Sequence, residues 1–300
     1  MNHAFLIQAH HNPDYLGRLI NWLDAPNHFI FVHIDKKSKV MLDLLYENEI
    51  SHRNNVYVFS EISVNWGGYS QIACMSRLFA EALKNKSIEW FHHISGADIP
   101  LMDNKTFDDF FEFSKYKGYI KSSKNDKWLI SELQRRFLVY RFNDIVNMRS
   151  KNVFTYALRF LERLQLFLTR YLKIKIRKNI NYEPALGSNW FSLKREVMEY
   201  IVDFVNSNPS YDRRFKHTCC CDEMYFHMML KASPYCNCFF DSDLRFVEWK
   251  KLDIGEMPPH TLTELNYEDI KNSNSIFARK IDPVKSEKLI GIIEKEFLKQ

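Results

Sequence analysis

The sequence predicts an α/β protein, a mostly parallel sheet flanked by helices, and three observations predict it. Apolar strand-like runs alternate with helical periodicity through the first half of the chain. A composition of 46% hydrophobic and 15% aromatic residues over 300 positions is ample for a large core. The glycines number only eight, and four of them, Gly67, Gly68, Gly96 and Gly187, fall at or beside strand ends rather than in linkers. In open parallel sheets the ligand lies beyond the carboxyl ends of the strands, which directs attention to those segments.

Taken in order, Ala4 to Ala9, Phe29 to Ile34, Val56 to Ser60 and Trp90 to Ser95 read as strands, being short apolar runs rich in Phe, Ile and Val. Between them Tyr15, Leu16, Leu19, Ile20 and Leu23 keep helical spacing, and Ser70 to Leu83 does the same. Residues 124–181 break the alternation and form a helical, basic insert within a single 1–300 domain. The strand pattern returns at Ala185 to Leu193, with helices at Arg195 to Val205 and Asp222 to Leu230. Cys236 to Phe240 and Leu244 to Trp249 are short strands, and Pro283 to Leu298 closes the chain as a helix.

The formal net charge of +5 is too thin for a nucleic-acid partner, which demands a concentrated basic face. No apolar run approaches the roughly 20 residues that span a bilayer, and the first residues read as a strand rather than an export signal, so cytoplasmic residence is expected. Six cysteines without that signal are expected as thiols, and the spacing of Cys219, Cys220, Cys221, Cys236 and Cys238 does not fit structural zinc. His10-His11 and His92-His93 lie in strands by this reading, so one of each pair should face the core, with His10 and His11 bordering the ligand. Dinucleotide and P-loop fingerprints are missing, as is a Gly-x-Ser-x-Gly elbow, which weighs against dehydrogenases, P-loop enzymes and serine hydrolases.

The remaining segments form an ordered set: His33-Ile34-Asp35-Lys36-Lys37-Ser38, Trp66-Gly67-Gly68, Ser95-Gly96-Ala97-Asp98-Ile99-Pro100, Gly187-Ser188-Asn189-Trp190, Asp222-Glu223 and Phe277-Ala278-Arg279-Lys280. With these, the chain resembles the core-2/I-branching enzymes, the group of β-1,6-N-acetylglucosaminyltransferases and peptide O-xylosyltransferases forming glycosyltransferase family 14. The resemblance runs over nearly the whole chain. It implies a GT-A-type fold, a UDP-sugar donor, a glycan acceptor, inversion at the anomeric carbon and no divalent metal.

Residue by residue, the resemblance makes Glu223 the catalytic base, at the start of a predicted helix whose N-cap is expected to be Asp222. Lys280, with Arg279 beside it, takes the diphosphate charge that a metal meets in other GT-A enzymes. His260 stands where the family has a second basic residue, and would serve only when protonated. His10, Asp35, Trp66, Gly67, Ser95, Gly96 and Asp98 line the nucleotide and diphosphate, while Gly187, Ser188, Trp190, Trp249, Lys251, Arg135 and Arg136 line the sugar and acceptor. Arg141 is a further acceptor candidate. Asp241-Ser242-Asp243 has the carboxylate pair of a metal motif but falls late in the chain, and reads as a turn.

Residues 151–178 carry eight basic side chains against one acid, a local excess of +7. Phe154, Leu158, Leu161, Leu164, Leu168 and Leu172 keep helical spacing there, so this stretch is expected either to lie on an anionic membrane near a lipid-linked glycan or to cover the sheet. The leading expectation is N-acetylglucosamine transfer in surface polysaccharide synthesis. Xylosyl transfer, a non-catalytic carbohydrate-binding relic and a metal-dependent hydrolase using Asp241 and Asp243 are the alternatives.

Overall fold

A computed structural model describes residues 1–47, 49–124, 126–177, 181–249 and 259–298. The chain runs β1 (Asn2–Ala9), α1 (Pro13–Leu23), β2 (His28–Ile34), α2 (Lys39–Tyr46), β3 (Val56–Phe59), α3 (Ser70–Ala82) and β4 (Ile88–Ser95). Next come β5 (Ile99–Pro100), α4 (Asn104–Glu112), β6 (Gly118–Ser122), α5 (Asp126–Phe137) and α6 (Val153–Arg170). The last part holds β7 (Gly187–Lys194), α7 (Arg195–Ser207), α8 (Pro209–Phe215), α9 (Asp222–Lys231), β8 (Phe239–Phe240), β9 (Arg245–Val247), α10 (Tyr267–Lys271), β10 (Phe277–Arg279) and α11 (Glu287–Glu296).

Seven strands form the main sheet in the order β3-β2-β1-β4-β7-β6-β8, and all but β7 run in one direction. This is the mostly parallel α/β sheet expected, and it fits the GT-A-type fold that the resemblance implies. The reversal of β7 matters for the site, because it brings Gly187 and Ser188, at its amino end, to the edge where β1, β2 and β4 finish. Alternate residues of β1 enter different cores, as a strand covered on both faces requires. Ala4 and Leu6 pack with Ile72, Met75, Val197 and Met224, while Phe5 and Ile7 pack with Leu16, Ile20 and Phe107. A three-stranded sheet, β5-β10-β9, packs against α10 and α11 in a third cluster around Leu262, Ala278 and Leu289.

Two expectations about histidines change. His92 and His93 are both fully buried, because β4 sits inside a sheet with helices on both faces and neither side of it sees water. His10 and His11 lie beyond the end of β1, exposed, with their rings 4.3 Å apart.

Candidate active site

The carboxyl edge of the main sheet gathers most of the expected residues. After β4 the chain turns through Ser95-Gly96-Ala97-Asp98, and the Asp98 carboxylate, fully buried, accepts from Ser95 N at 3.0 Å and Ser95 Oγ at 2.8 Å. Its third partner comes from the far end of the chain: Arg279 Nε, on β10, lies 3.0 Å from Asp98 Oδ1. The Arg279 guanidinium also sits 4.0 Å over the Trp190 ring, which in turn stacks on His93 at 4.8 Å. The acid that follows the fourth strand is therefore engaged by a guanidinium and a serine, and Trp190 serves as the platform for that guanidinium.

Lys280 follows directly and is exposed. Although its surface is exposed, partial desolvation of the ammonium and then the charges of Arg279 and Arg149 lower its pKa; partial desolvation with the charges of His11 and Lys280 lowers that of His10, and with Lys280 that of His11, so these groups share one electrostatic neighbourhood. Arg149, from the insert, stacks 3.8 Å over Trp66. No periodicity or motif marks this loop arginine, and sequence reasoning missed it.

The Trp66-Gly67-Gly68 turn links the two halves of the site. Gly67 adopts φ +68°, which a side chain would strain, and its carbonyl accepts from Cys220 N at 2.8 Å, just before α9. The insert fixes the same turn: Asn143 Nδ2 donates to Trp66 O at 3.2 Å, and the Asp144 carboxylate accepts from Tyr69 N and Ser70 N at the start of α3. At the first turn of α9, Glu223 pairs with Arg136 of α5, which also pairs with Glu132. Arg135, more exposed, is held by the same Glu132 at 2.6 Å, and Arg141 is held by Glu162 at 2.8 Å.

Several expected roles are revised by these contacts. Asp222 is the first residue of α9, not its N-cap; Cys221 takes that position without a side-chain bond. Asp222 is buried, and burial followed by the Glu223 charge pushes its carboxyl up to about 7. Gly96 and Gly187 serve packing: a Cβ on Gly96 would stand 2.9 Å from the Ala9 Cβ, and one on Gly187 would stand 2.1 Å from Lys121 O and 2.3 Å from His227. His227 instead ties the site together, its Nε2 lying 2.8 Å from Ser188 O and thereby joining α9 to the start of β7. Ser188 Oγ accepts from Trp190 N at 3.2 Å.

Asp35 is buried at the end of β2, where its Oδ1 accepts from Lys37 N at 3.0 Å and Val64 N at 3.2 Å, with Lys37 Nζ 3.4 Å from Oδ2. One carboxylate oxygen thus shapes the loop. His260 is buried too, and among the described residues neither ring nitrogen has a hydrogen-bond partner. Trp249 is exposed, whereas Lys251 lies outside the described residues. In the Asp241-Ser242-Asp243 turn the carboxylates are divided, Asp241 pairing with Lys124 at 2.5 Å and Asp243 accepting from Arg245 N at 3.2 Å.

Among the described residues the insert holds two helices, α5 and α6. α6 begins in a capping box between Asn152 and Thr155, and only Thr155, Leu158 and Glu162 along it are buried. Val153, Phe154, Tyr156, Phe160, Leu161, Leu164 and Phe167 are all exposed, as are Lys151, Arg163, Arg170, Lys173 and Lys175. Arg177 departs from this pattern: it is buried and donates to carbonyls of Val139, Arg214, Lys216 and His217, so it fastens the insert to α8 rather than facing outward. Among the described residues no helix is long and apolar enough to cross a membrane.

Comparison with known proteins finds relatives by sequence and a family. Xylosyltransferase 1 of Rattus norvegicus is 22% identical over 308 residues, covering 97% of this chain and 35% of its own length. Xylosyltransferase 2 of the same species is 26% identical over 240 residues, covering 79% of this chain and 25% of its own length. The chain thus spans about a third or less of the relatives it matches. The crystal structure of mouse xyloside xylosyltransferase 1 in its apo form aligns over 92% of this chain and 96% of that one, at 11% identity and a TM-score of 0.37. Residues 3–274 match the family model described as Core-2/I-Branching enzyme, and the chain belongs to that glycosyltransferase family.

Proposed function

We propose that the protein is an inverting, metal-independent glycosyltransferase that moves N-acetylglucosamine from a UDP-sugar to a hydroxyl of a glycan acceptor in surface polysaccharide synthesis. One observation carries the reading: Asp98, the carboxylate following the fourth strand, is occupied by Arg279, and Lys280 stands exposed beside it. Where a carboxylate would present a divalent ion to the diphosphate, this edge presents two adjacent cations. Fixed donors of this kind stabilise charge as it develops without reorganising at the moment of reaction.

In the proposed step, Glu223 takes the proton of the acceptor hydroxyl, and that oxygen forms a bond to the anomeric carbon on the face opposite the leaving group. The bond from the anomeric carbon to the diphosphate oxygen breaks, and UDP departs with its electron pair and negative charge facing Arg279 and Lys280. Asp222, its carboxyl pushed up to about 7 by burial and the Glu223 charge, is about half protonated at neutrality, which lessens the negative charge beside Glu223. Trp249, exposed after β9, is assigned to the acceptor side.

A xylosyl donor is the second reading, favoured by the relatives, which are named xylosyltransferases. Turnover against a panel of UDP-sugars separates the two: only UDP-xylose turning over overturns the N-acetylglucosamine assignment and leaves the mechanism standing.

The exposed apolar face of α6 supports peripheral contact with an anionic membrane at the inner leaflet, where a lipid-linked glycan would be met. Phe160 and Phe167 are 65% and 50% exposed, and cations lie at both ends of the helix. Flotation with vesicles containing phosphatidylglycerol tests it. Enrichment that falls in a Phe160→Ser, Phe167→Ser double variant of unchanged stability is expected; wild-type protein left at the bottom of the gradient would end the idea.

A further inference from the structure

The opposite edge of the sheet holds a cluster that the transfer reaction does not use. His3 and His28 sit at the amino ends of β1 and β2, both fully buried, and Asp108 reaches them from α4 with its carboxylate partly exposed. Asp108 Oδ1 lies 2.8 Å from His28 Nε2 and 3.3 Å from His3 Nε2, and the ligand atoms of all three fall within 4.8 Å of one another.

The hydrogen bonds around the cluster determine which atoms face it. His28 Nδ1 lies 2.7 Å from the Leu23 carbonyl, which can only accept, so Nδ1 carries the hydrogen and a neutral ring turns the Nε2 lone pair toward Asp108. Asp108 Oδ2 accepts from Asn27 Nδ2 at 2.8 Å, leaving Oδ1 toward the two rings. His3 Nδ1 meets His92 Nε2 at 3.0 Å, and His92 Nδ1 meets Ser192 Oγ at 2.9 Å, while His3 Nε2 has no hydrogen-bond partner among the described residues. Two ring nitrogens and a carboxylate oxygen therefore converge, and each is oriented from behind by a carbonyl, an imidazole or an amide. A proton on His28 would satisfy Oδ1 and one ring but leave His3 Nε2 unpaired; a cation between them satisfies all three. Outer partners of this kind fix the tautomer and direction of metal-binding imidazoles.

We propose that His3, His28 and Asp108 bind one divalent zinc-class ion, with a water completing a four-coordinate site reached from the exposed side of Asp108. Bonds of about 2.0–2.1 Å at tetrahedral angles place ligand atoms roughly 3.3 Å apart, a spacing that small side-chain adjustments here provide. The ion joins β1, β2 and α4, far from the cations at the carboxyl edge, so its role is structural and its loss lowers thermal stability before it touches turnover.

Cobalt(II) titration of the full chain, followed by zinc analysis, tests the assignment. One cobalt per chain, with the intense visible absorption of four-coordinate Co(II), is expected, and affinity should fall more than about 100-fold in His28→Gln and in Asp108→Asn, since even outer-shell losses cost 10–100-fold. Asp108→Asn should keep wild-type turnover of the donor. Should the variants fail to fold, X-ray absorption of zinc-loaded wild type reads the ligands directly. Two imidazoles without sulfur support the site; sulfur ligation would move the ion to Cys219 and Cys220, and the absence of stoichiometric cobalt or zinc would overturn the proposal.

Discussion

Asp98 is the residue whose single substitution should disturb the proposed site most. It is fully buried, accepts two hydrogen bonds from Ser95 at 3.0 and 2.8 Å, and holds Arg279 at 3.0 Å. Asp98→Asn keeps the size and one acceptor oxygen but removes the charge. Breaking a buried ion pair by neutralising one partner costs about 3–5 kcal/mol, because the other charge is left uncompensated. Arg279 retains 14% side-chain exposure and its stack on Trp190, which places the expected loss at the lower end, about 3 kcal/mol. Against a total stability of about 5–15 kcal/mol, the variant stays folded. Ser95→Ala, which removes one hydroxyl donor to the same charged carboxylate but leaves the Ser95 N–H and Arg279 in place, should cost less, about 1.5 kcal/mol. Urea unfolding measures both, and calorimetry with UDP measures the second consequence: a released Arg279 should weaken UDP binding by about tenfold or more, equivalent to about 1.4 kcal/mol. An Asp98→Asn protein within about 0.5 kcal/mol of wild type, with unchanged UDP affinity, would refute the argument that this carboxylate exists to position the guanidinium.

Other outcomes follow from the same contacts. Lys280→Ala should lower kcat by about 10²–10³ without loss of stability, because the side chain is exposed; steady-state kinetics and thermal melting check the two halves. Asp222 has its folded pKa raised from 3.8 to about 7, so the native state holds an extra proton through that window and stability falls as pH rises through it. The full penalty, up to about 4 kcal/mol, is present above pH 7, and Asp222→Asn should remove it; parallel unfolding curves at pH 5 and pH 8 test the sign. Trp66→Ala should remove the stack beneath Arg149, worth about 1 kcal/mol, and raise KM for the donor more than it changes kcat.

The parts of the fold legible in the sequence are those whose burial is written locally. β1, β2 and β4 are near-continuous apolar runs because both faces of the sheet are covered, and α1 and α3 keep one apolar stripe toward it. β6 leaves no periodic signal in the sequence because only Gly118, Tyr119 and Ile120 of it are buried. The short α2 and α4 also escaped, although α4 carries the Asp103 cap and the Asp108 ligand. In the site, the ordered motifs located Asp98, Arg279, Lys280 and Glu223, but not their pairings. Asp98 and Arg279 are 181 residues apart, and Glu223 and Arg136 are 87 apart, so no local spacing records either contact. The insert's helix was legible from its period; that its apolar face is left uncovered was not, because periodicity describes a stripe and not what lies against it.

In the proposed mechanism fixed cations and Glu223, rather than a metal, carry the transfer, and UDP release from a panel of UDP-sugars in EDTA is the deciding assay. The assay runs well below the thermal midpoint, so that loss of a structural ion does not confound it, and compares wild type with Glu223→Gln. Turnover of one donor that persists in EDTA and falls at least about 10²-fold in the variant is the predicted result. Turnover that vanishes in EDTA and returns with magnesium or manganese, or that is indifferent to Glu223→Gln, would contradict it.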